Sequence, residues 1–293
     1  MRARDIVDYL FLAVTWGLSF LVLVKVVAAF GWVGAVTLRC LLASATLIGI
    51  AKALRRNLSF SLGWRAYAIV GATTVAGQLI GLSYGTPLIG TAMAAILVAA
   101  IPLFSMMISQ FWGLERMTTP RLVGLLLGMG GIVLLVGFPA VPVTPSFLLG
   151  CAACLFASFS AAFGSNYASL HLRRAGSLEV AAGSFLAGGL MTLPLLLVVP
   201  IPAMPVPIDF LYLLILACIM SALTYVIYFR LVSVIGPTRA ISVEFGVTIV
   251  AVLVGALLLK EPLTRIQICG AAIIVTGCML VLGILPRRAG RRT

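Results

Sequence analysis

Two ionisable side chains stand where chemistry inside an apolar environment would need them. Glu244 is the one acid well inside an apolar run, about seven residues or ~10 Å past Pro237 at ~1.5 Å per helical residue. An ionisable group at that depth costs several kcal/mol unless it is paired or faces water. Two readings stay open for it: a proton carrier or partner of a substrate ammonium, or one member of an ion pair with Arg239 or Arg230. Arg39 is the cationic counterpart, about one and a half turns inside another run. Its stem either snorkels the guanidinium to the interface or leaves it to take a substrate carboxylate bidentately. Counted along the helix axes, the two charges lie ~12 Å apart in a ~30 Å hydrocarbon core, too far for a direct bond.

Polar and aromatic groups inside the runs form a second tier: Trp16, Ser19, Gln78, Tyr84, Asn166 and Tyr225, with Ser160, Tyr167 and Tyr228 beside them. The amides of Gln78 and Asn166 demand partners in hydrocarbon, so each either ties helices together or faces a wet cavity. Membrane Tyr and Trp commonly sit in interfacial belts, but Trp16 is near the middle of its run. The candidate substrate-binding set is therefore Trp16, Ser19, Arg39, Gln78, Tyr84, Asn166, Tyr225 and Glu244. An aromatic-lined cavity of low net charge suits an amphipathic metabolite such as an aromatic or branched amino acid, and suits a polyanion poorly.

Other chemistries find little support. Cys40, Cys151, Cys154, Cys218, Cys269 and Cys278 all fall in apolar runs, and the pair Cys151-x-x-Cys154 has no second pair or nearby His to complete a metal site. The lone His171 belongs to a loop facing solvent. No G-x-x-x-x-G-K-[ST], HExxH or G-x-S-x-G pattern occurs, so neither nucleotide, metal nor other cofactor is expected, and ATP-driven pumping is excluded on this chain alone. An embedded lipid enzyme would gather carboxylates or histidines at one face. Here Asp5, Asp8, Glu115, Glu179, Asp209 and Glu261 are scattered, and the charge rings of a channel are missing.

The elements that must hold these groups follow from composition. Of 293 residues, 62% are hydrophobic and 9% charged, against roughly 25% charged in a soluble domain. A formal charge of +13 would suggest nucleic acid in a soluble chain; here the arginines sit between apolar runs, which is the signature of membrane topology. A spanning helix needs about 20 apolar residues, and the chain divides into about ten such runs. They are Ile6 to Val24, Val33 to Ala53, Trp64 to Leu82, Ile89 to Phe111, Leu122 to Gly137, Phe147 to Leu170, Leu178 to Val199, Phe210 to Leu231, Thr238 to Leu259 and Ile266 to Leu285. The first exceeds the ~7–15 residues of a signal-peptide core and is kept as a span. No room remains for a soluble domain.

Alternate connections receive very different charge. One side takes Arg2, Arg4, Lys52, Arg55, Arg56, Arg65, Arg116, Arg121, Arg173, Arg174, Arg230, Arg239, Arg287, Arg288, Arg291 and Arg292, the other only Lys25, Lys260 and Arg265. The asymmetry predicts both termini in the cytoplasm of a multi-pass inner (plasma) membrane protein. The glycine patterns Gly77-x-x-x-Gly81-x-x-x-Gly85 and Gly124-x-x-x-Gly128 predict close helix contacts.

The chain also repeats itself. Slid by 146 residues, about half of its 293, Glu115, Thr118, Gly124, Gly131, Leu134 and Gly137 meet Glu261, Thr264, Gly270, Gly277, Leu280 and Gly283. Ile89-Gly90 meets Ile235-Gly236, and Ala94 meets Ala240, without a gap. Residues 1–146 and 147–293 then each hold five spans, and an odd number inverts the second half relative to the first. Inverted repeats with a substrate site near the midplane are a recurrent plan of secondary transporters.

At Trp16-Gly17-Leu18-Ser19-Phe20, Arg39, Pro102, Gly113-Leu114-Glu115-Arg116-Met117-Thr118 and Leu259-Lys260-Glu261-Pro262-Leu263-Thr264 the sequence resembles the drug/metabolite transporter superfamily, in particular its EamA-type exporters. Within these it is similar to the YddG-type exporters of aromatic amino acids. The resemblance implies an all-α integral membrane protein of ten helices in two inverted five-helix repeats around a central cavity, with the last span of each half at the periphery. It departs at Thr248, where the repeat would place a partner for Pro102. The expected activity is export of a small amphipathic metabolite, an amino acid first, by alternating access, either coupled to protons or facilitated. The expected partners are that substrate and the bilayer, not nucleic acid. The rival is export of lipophilic cations by a small-multidrug exporter of the same family.

Overall fold

The computed structural model describes residues 3–282 apart from 57, 61–62, 114–117, 138–141, 203, 236–239 and 262. Expectations resting on Glu115, Arg116, Arg239 and the chain beyond Leu282 lie outside these residues. The described regular structure is helical, without strands. Among the described residues, six helices are long and apolar enough to cross a bilayer: α1 (Ala3–Ala53), α2 (Trp64–Ile89), α3 (Thr91–Phe111), α5 (Pro145–His171), α6 (Ser177–Leu197) and α7 (Pro207–Ile235). Shorter apolar helices are α4 (Thr119–Gly137), α8 (Val243–Leu258) and α9 (Arg265–Leu282). Large apolar side chains such as Leu126, Val133, Leu253 and Leu257 are exposed on these helices, which water would penalise and lipid tails accept.

Helix α1 has 51 residues, a length of ~76 Å at ~1.5 Å per residue, more than twice a ~30 Å hydrocarbon core. It therefore is not a single straight crossing. The backbone leaves helical geometry at Gly31, with φ 71° and ψ 166°, a conformation that costs glycine little because it has no Cβ. The two expected runs Ile6 to Val24 and Val33 to Ala53 are the arms on either side. Helix α2 differs from the expected end at Leu82: it runs through Pro87 to Ile89 and stops at Gly90, φ 85°. Pro87 removes one donor but leaves the Gly90 N–H to reach the Thr86 carbonyl at 2.9 Å, so the glycine and not the proline ends the helix.

Carboxylates and hydroxyls close several helix starts. Thr144 Oγ1 accepts from the Phe147 N–H at 3.1 Å, and Asp209 accepts from the Val206 N–H at 2.9 Å. A longer-range cap is made by Glu261, whose two carboxylate oxygens accept from the N–H groups of Thr91 and Ala92, each at 2.7 Å. It fixes the α8–α9 connection to the start of α3, where a negative charge is favoured by the helix dipole.

Helix contacts are close where glycines allow. On α2, a Cβ at Gly81 would stand 2.5 Å from the Ala153 carbonyl oxygen of α5. Helices α4 and α9 pack on each other in the same manner, Gly131 against the Gly270 carbonyl and Gly277 against the Gly124 carbonyl. Four cysteines are buried, Cys218 is half-buried and Cys269 exposed, and none is in a disulfide. At Thr248 no proline-like break occurs. Its hydroxyl donates to the Glu244 carbonyl within α8 at 2.8 Å and stands 3.0 Å from the Ala95 carbonyl of α3.

Two helices widen to π geometry in their interiors, α2 over Gly71–Gly77 and α7 over Ile215–Leu223. Displacing the first segment by 146 residues gives 217–223, inside the second. Wide turns leave carbonyls and side chains off the regular ladder and are common beside functional sites.

Candidate functional site

The wide turn of α2 borders a cavity at Thr74, and the wide turn of α7 leads into the wall of the same cavity at Tyr225. The cavity has a volume of about 60 Å³, room for roughly four to six waters. Helix α1 contributes Trp16, Ser19, Phe20, Leu23 and Arg39; α2 contributes Thr74, Gln78, Leu79 and Leu82; α3 contributes Val98 and Ile101. From the rest of the chain come Ala161 and Ser165 of α5, Tyr225 and Tyr228 of α7, and Glu244 and Val247 of α8.

Six of the eight candidate residues thus line one space: Trp16, Ser19, Arg39, Gln78, Tyr225 and Glu244. The Trp16 indole N–H donates to Thr224 Oγ1 at 2.9 Å, and its ring meets those of Tyr225 and Tyr228 at 5.5 and 5.4 Å. Ser19 returns its hydroxyl to the Trp16 carbonyl at 2.7 Å. Tyr225 donates weakly towards Gln78 Oε1 at 3.4 Å and the Thr74 carbonyl at 3.5 Å. Tyr228 and Ser165 share a hydrogen bond of 3.0 Å.

Arg39 does not snorkel. Only 5% of its surface is exposed, and its Nε donates to Ser221 Oγ at 2.5 Å. Ser221 in turn donates to the Leu216 carbonyl at 2.7 Å, five residues back, the spacing of a π turn. The wide turn therefore presents the hydroxyl that holds the guanidinium inward, and no described residue accepts from its terminal NH₂ groups.

Glu244 is 7% exposed, and its carboxylate has no hydrogen bond or ion pair among the described residues. The expected alternative, a pair with Arg230, is corrected by the structure. Arg230 is bound to Asp5 at 3.1 Å and to Asp8, because the first two turns of α1 bring two carboxylates to the end of α7. Arg239 lies outside the described residues. Glu244 and Arg39 line the same cavity without bonding each other.

Tyr84 and Asn166 lie elsewhere. The Tyr84 ring packs edge-on against Trp32 at 5.4 Å. The Asn166 amide makes three of its four possible hydrogen bonds between α3 and α5: Nδ2 donates to Ser105 Oγ at 2.8 Å and to the Ala162 carbonyl at 2.9 Å, and Oδ1 accepts from Ser109 Oγ at 2.9 Å. Of the two fates open to a membrane amide, it has the one that ties helices together.

The candidate set omitted Thr74, Tyr228, Ser165 and the aliphatic lining. A signal for part of this was present in the repeat. Five of the six lining residues after residue 146 stand 146 positions beyond another lining residue: Ser19 and Ser165, Leu79 and Tyr225, Leu82 and Tyr228, Val98 and Glu244, Ile101 and Val247.

Comparison with known proteins gives the family. The EamA-like transporter family matches twice, over residues 7–137 and 148–283. The transporter YoaV of Bacillus subtilis is 24% identical over 226 residues, 76% of this chain and 77% of that protein. The inner membrane transporter YedA of Escherichia coli K12 is 31% identical over 192 residues, 64% of this chain and 61% of YedA. PecM of Dickeya dadantii is 26% identical over 289 residues, 97% of this chain and 93% of PecM. One crystal structure superposes with a TM-score of 0.71 at 18% identity, covering 98% of this chain and 100% of that one, which speaks for a shared fold. With its membrane-length apolar helices and a family match over most of its length, the chain belongs to the EamA-like transporter family.

Proposed function

We propose that the protein exports small amphipathic metabolites, amino acids including aromatic ones first among them, by alternating access across the inner membrane, in the manner of the YddG-type branch. The observation that carries the reading is a cavity holding one acid and one base, Glu244 and Arg39, neither bonded to the other, beside the Trp16, Tyr225 and Tyr228 rings. A zwitterion with an apolar side chain offers both charges a partner and the rings a surface. In this reading Trp16, Ser19, Arg39, Gln78, Tyr225 and Glu244 bind substrate, and Glu244 carries the proton if transport is coupled.

The architecture proposed with it is ten spans in two inverted five-span repeats, residues 1–146 and 147–293, with both termini cytoplasmic. It is supported by the two arms of α1, the two matched family stretches, the π turns 146 residues apart and the paired cavity positions. The base-rich alternate connections support the orientation.

Rings clustered near an unpaired carboxylate also suit a lipophilic cation, which makes small-multidrug export the second reading. Uptake of a labelled amino acid into proteoliposomes, competed by unlabelled amino acids and by quaternary amines, decides between them. Labelled amino acid is taken up and is competed by other amino acids under the first reading; under the second it is not taken up, and a labelled quaternary amine is.

A further inference from the structure

The five pairs of cavity positions 146 residues apart have not kept the same chemistry. Where the first half presents Leu79, Leu82 and Val98, the second presents Tyr225, Tyr228 and Glu244; only the Ser19/Ser165 and Ile101/Val247 pairs remain alike in character. The base reinforces the imbalance. Arg39 belongs to the first half, but Ser221 of α7 holds its Nε, in the wide turn that leads to Tyr225. Gln78 leans the same way, since its Oε1 faces the Tyr225 hydroxyl, as does the Thr74 backbone carbonyl. Charges and hydroxyls thus gather around α7 and α8, and Leu79, Leu82, Val98 and Ile101 are left as an aliphatic surface from α2 and α3.

A lining with equal halves would offer an amphipathic molecule two equivalent poses related by the two-fold. Here the second pose would set an ammonium or carboxylate against aliphatic side chains with no partner, which is strongly disfavoured. We infer that the duplicated lining has lost its equivalence, with a polar side gathered around α7, α8 and Arg39 and an aliphatic side formed by Leu79, Leu82, Val98 and Ile101, so that an amino acid is held in one orientation. Its charged groups lie towards Glu244, Tyr228 and Arg39, and its side chain lies against Leu82, Val98 and Ile101, which set the side-chain size that is accepted. This deepens the amino-acid reading proposed above and rests on it.

The test is counterflow of labelled alanine, leucine and phenylalanine in proteoliposomes containing the full chain. Val98→Ala and Ile101→Ala should raise phenylalanine relative to alanine about tenfold, the scale of a methylene or two in an apolar pocket. Val98→Ile should lower that ratio, which keeps the test valid if a truncated variant folds poorly. Tyr228→Phe should slow all three substrates by a common factor and leave their ratios unchanged. Wild-type counterflow with ratios unmoved by Val98→Ala, Ile101→Ala and Val98→Ile, or moved equally by Tyr228→Phe, overturns the orientation while the amino-acid reading stands. A wild-type protein that exchanges quaternary amines and no amino acid overturns both.

Discussion

Glu244 and Asn166 show how differently two buried polar side chains can be used. The carboxylate has no described partner and borders a cavity, whereas both amide donors and the amide oxygen are engaged by Ser105, Ser109 and the Ala162 carbonyl. Glu244→Gln keeps the shape and removes the titrating group. In proteoliposomes it should abolish the response of transport to an imposed pH gradient while leaving substrate exchange measurable; an undiminished gradient response removes Glu244 as proton carrier. Asn166→Ala should act on stability instead. It strands the Ser105 and Ser109 hydroxyls at a cost of about 1–3 kcal/mol, so thermal unfolding in detergent should occur earlier while transport per folded molecule is retained. Arg39→Lys should lose transport at least tenfold, because an ammonium supplies neither the Nε donor that Ser221 holds nor a planar bidentate face. Initial rates of amino-acid uptake measure this.

At the scale of elements, glycines and caps decide where helices bend and meet. Gly31 turns α1 with a positive φ, and an added Cβ would stand 3.2 Å from Pro202 Cδ. Gly31→Ala should therefore destabilise by roughly 1–3 kcal/mol from the backbone alone, read as a lower melting temperature in detergent. Helix boundaries were legible in the sequence wherever a glycine or charged residue interrupted an apolar run. The end of α2 was not: the apolar run is expected to end at Leu82, whereas the helix passes through Pro87 and stops at Gly90. The π turns were not legible either, because no residue type demands them and only packing against neighbouring helices holds them open.

For the molecule as a whole, the proposed inversion makes one sharp demand. Glu115→Cys and Glu261→Cys, each in a background without the native cysteines, should react with an impermeant maleimide from opposite faces of the membrane. Reaction of both from the same face would contradict two halves that cross in opposite senses. The same inversion explains why α4 and α9 pack on each other through equivalent glycines, Gly131 and Gly277. The final helix of each proposed half thus meets its counterpart away from the cavity.

The sequence by itself determined that the chain lives in a membrane, where its apolar runs lie, that residues 146 apart match at one offset, and that an acid and a base lie within apolar runs. Those conclusions need only composition, length and spacing. Which polar groups share a space was decided by tertiary structure. A helix apolar on every side carries no stripe to mark its inner face, so Trp16, Gln78 and Tyr225 read the same as Tyr84 and Asn166 until their neighbours were in place. Arg39 makes the point most directly, since the hydroxyl that turns its head inward comes from Ser221, on a helix 182 residues away in sequence.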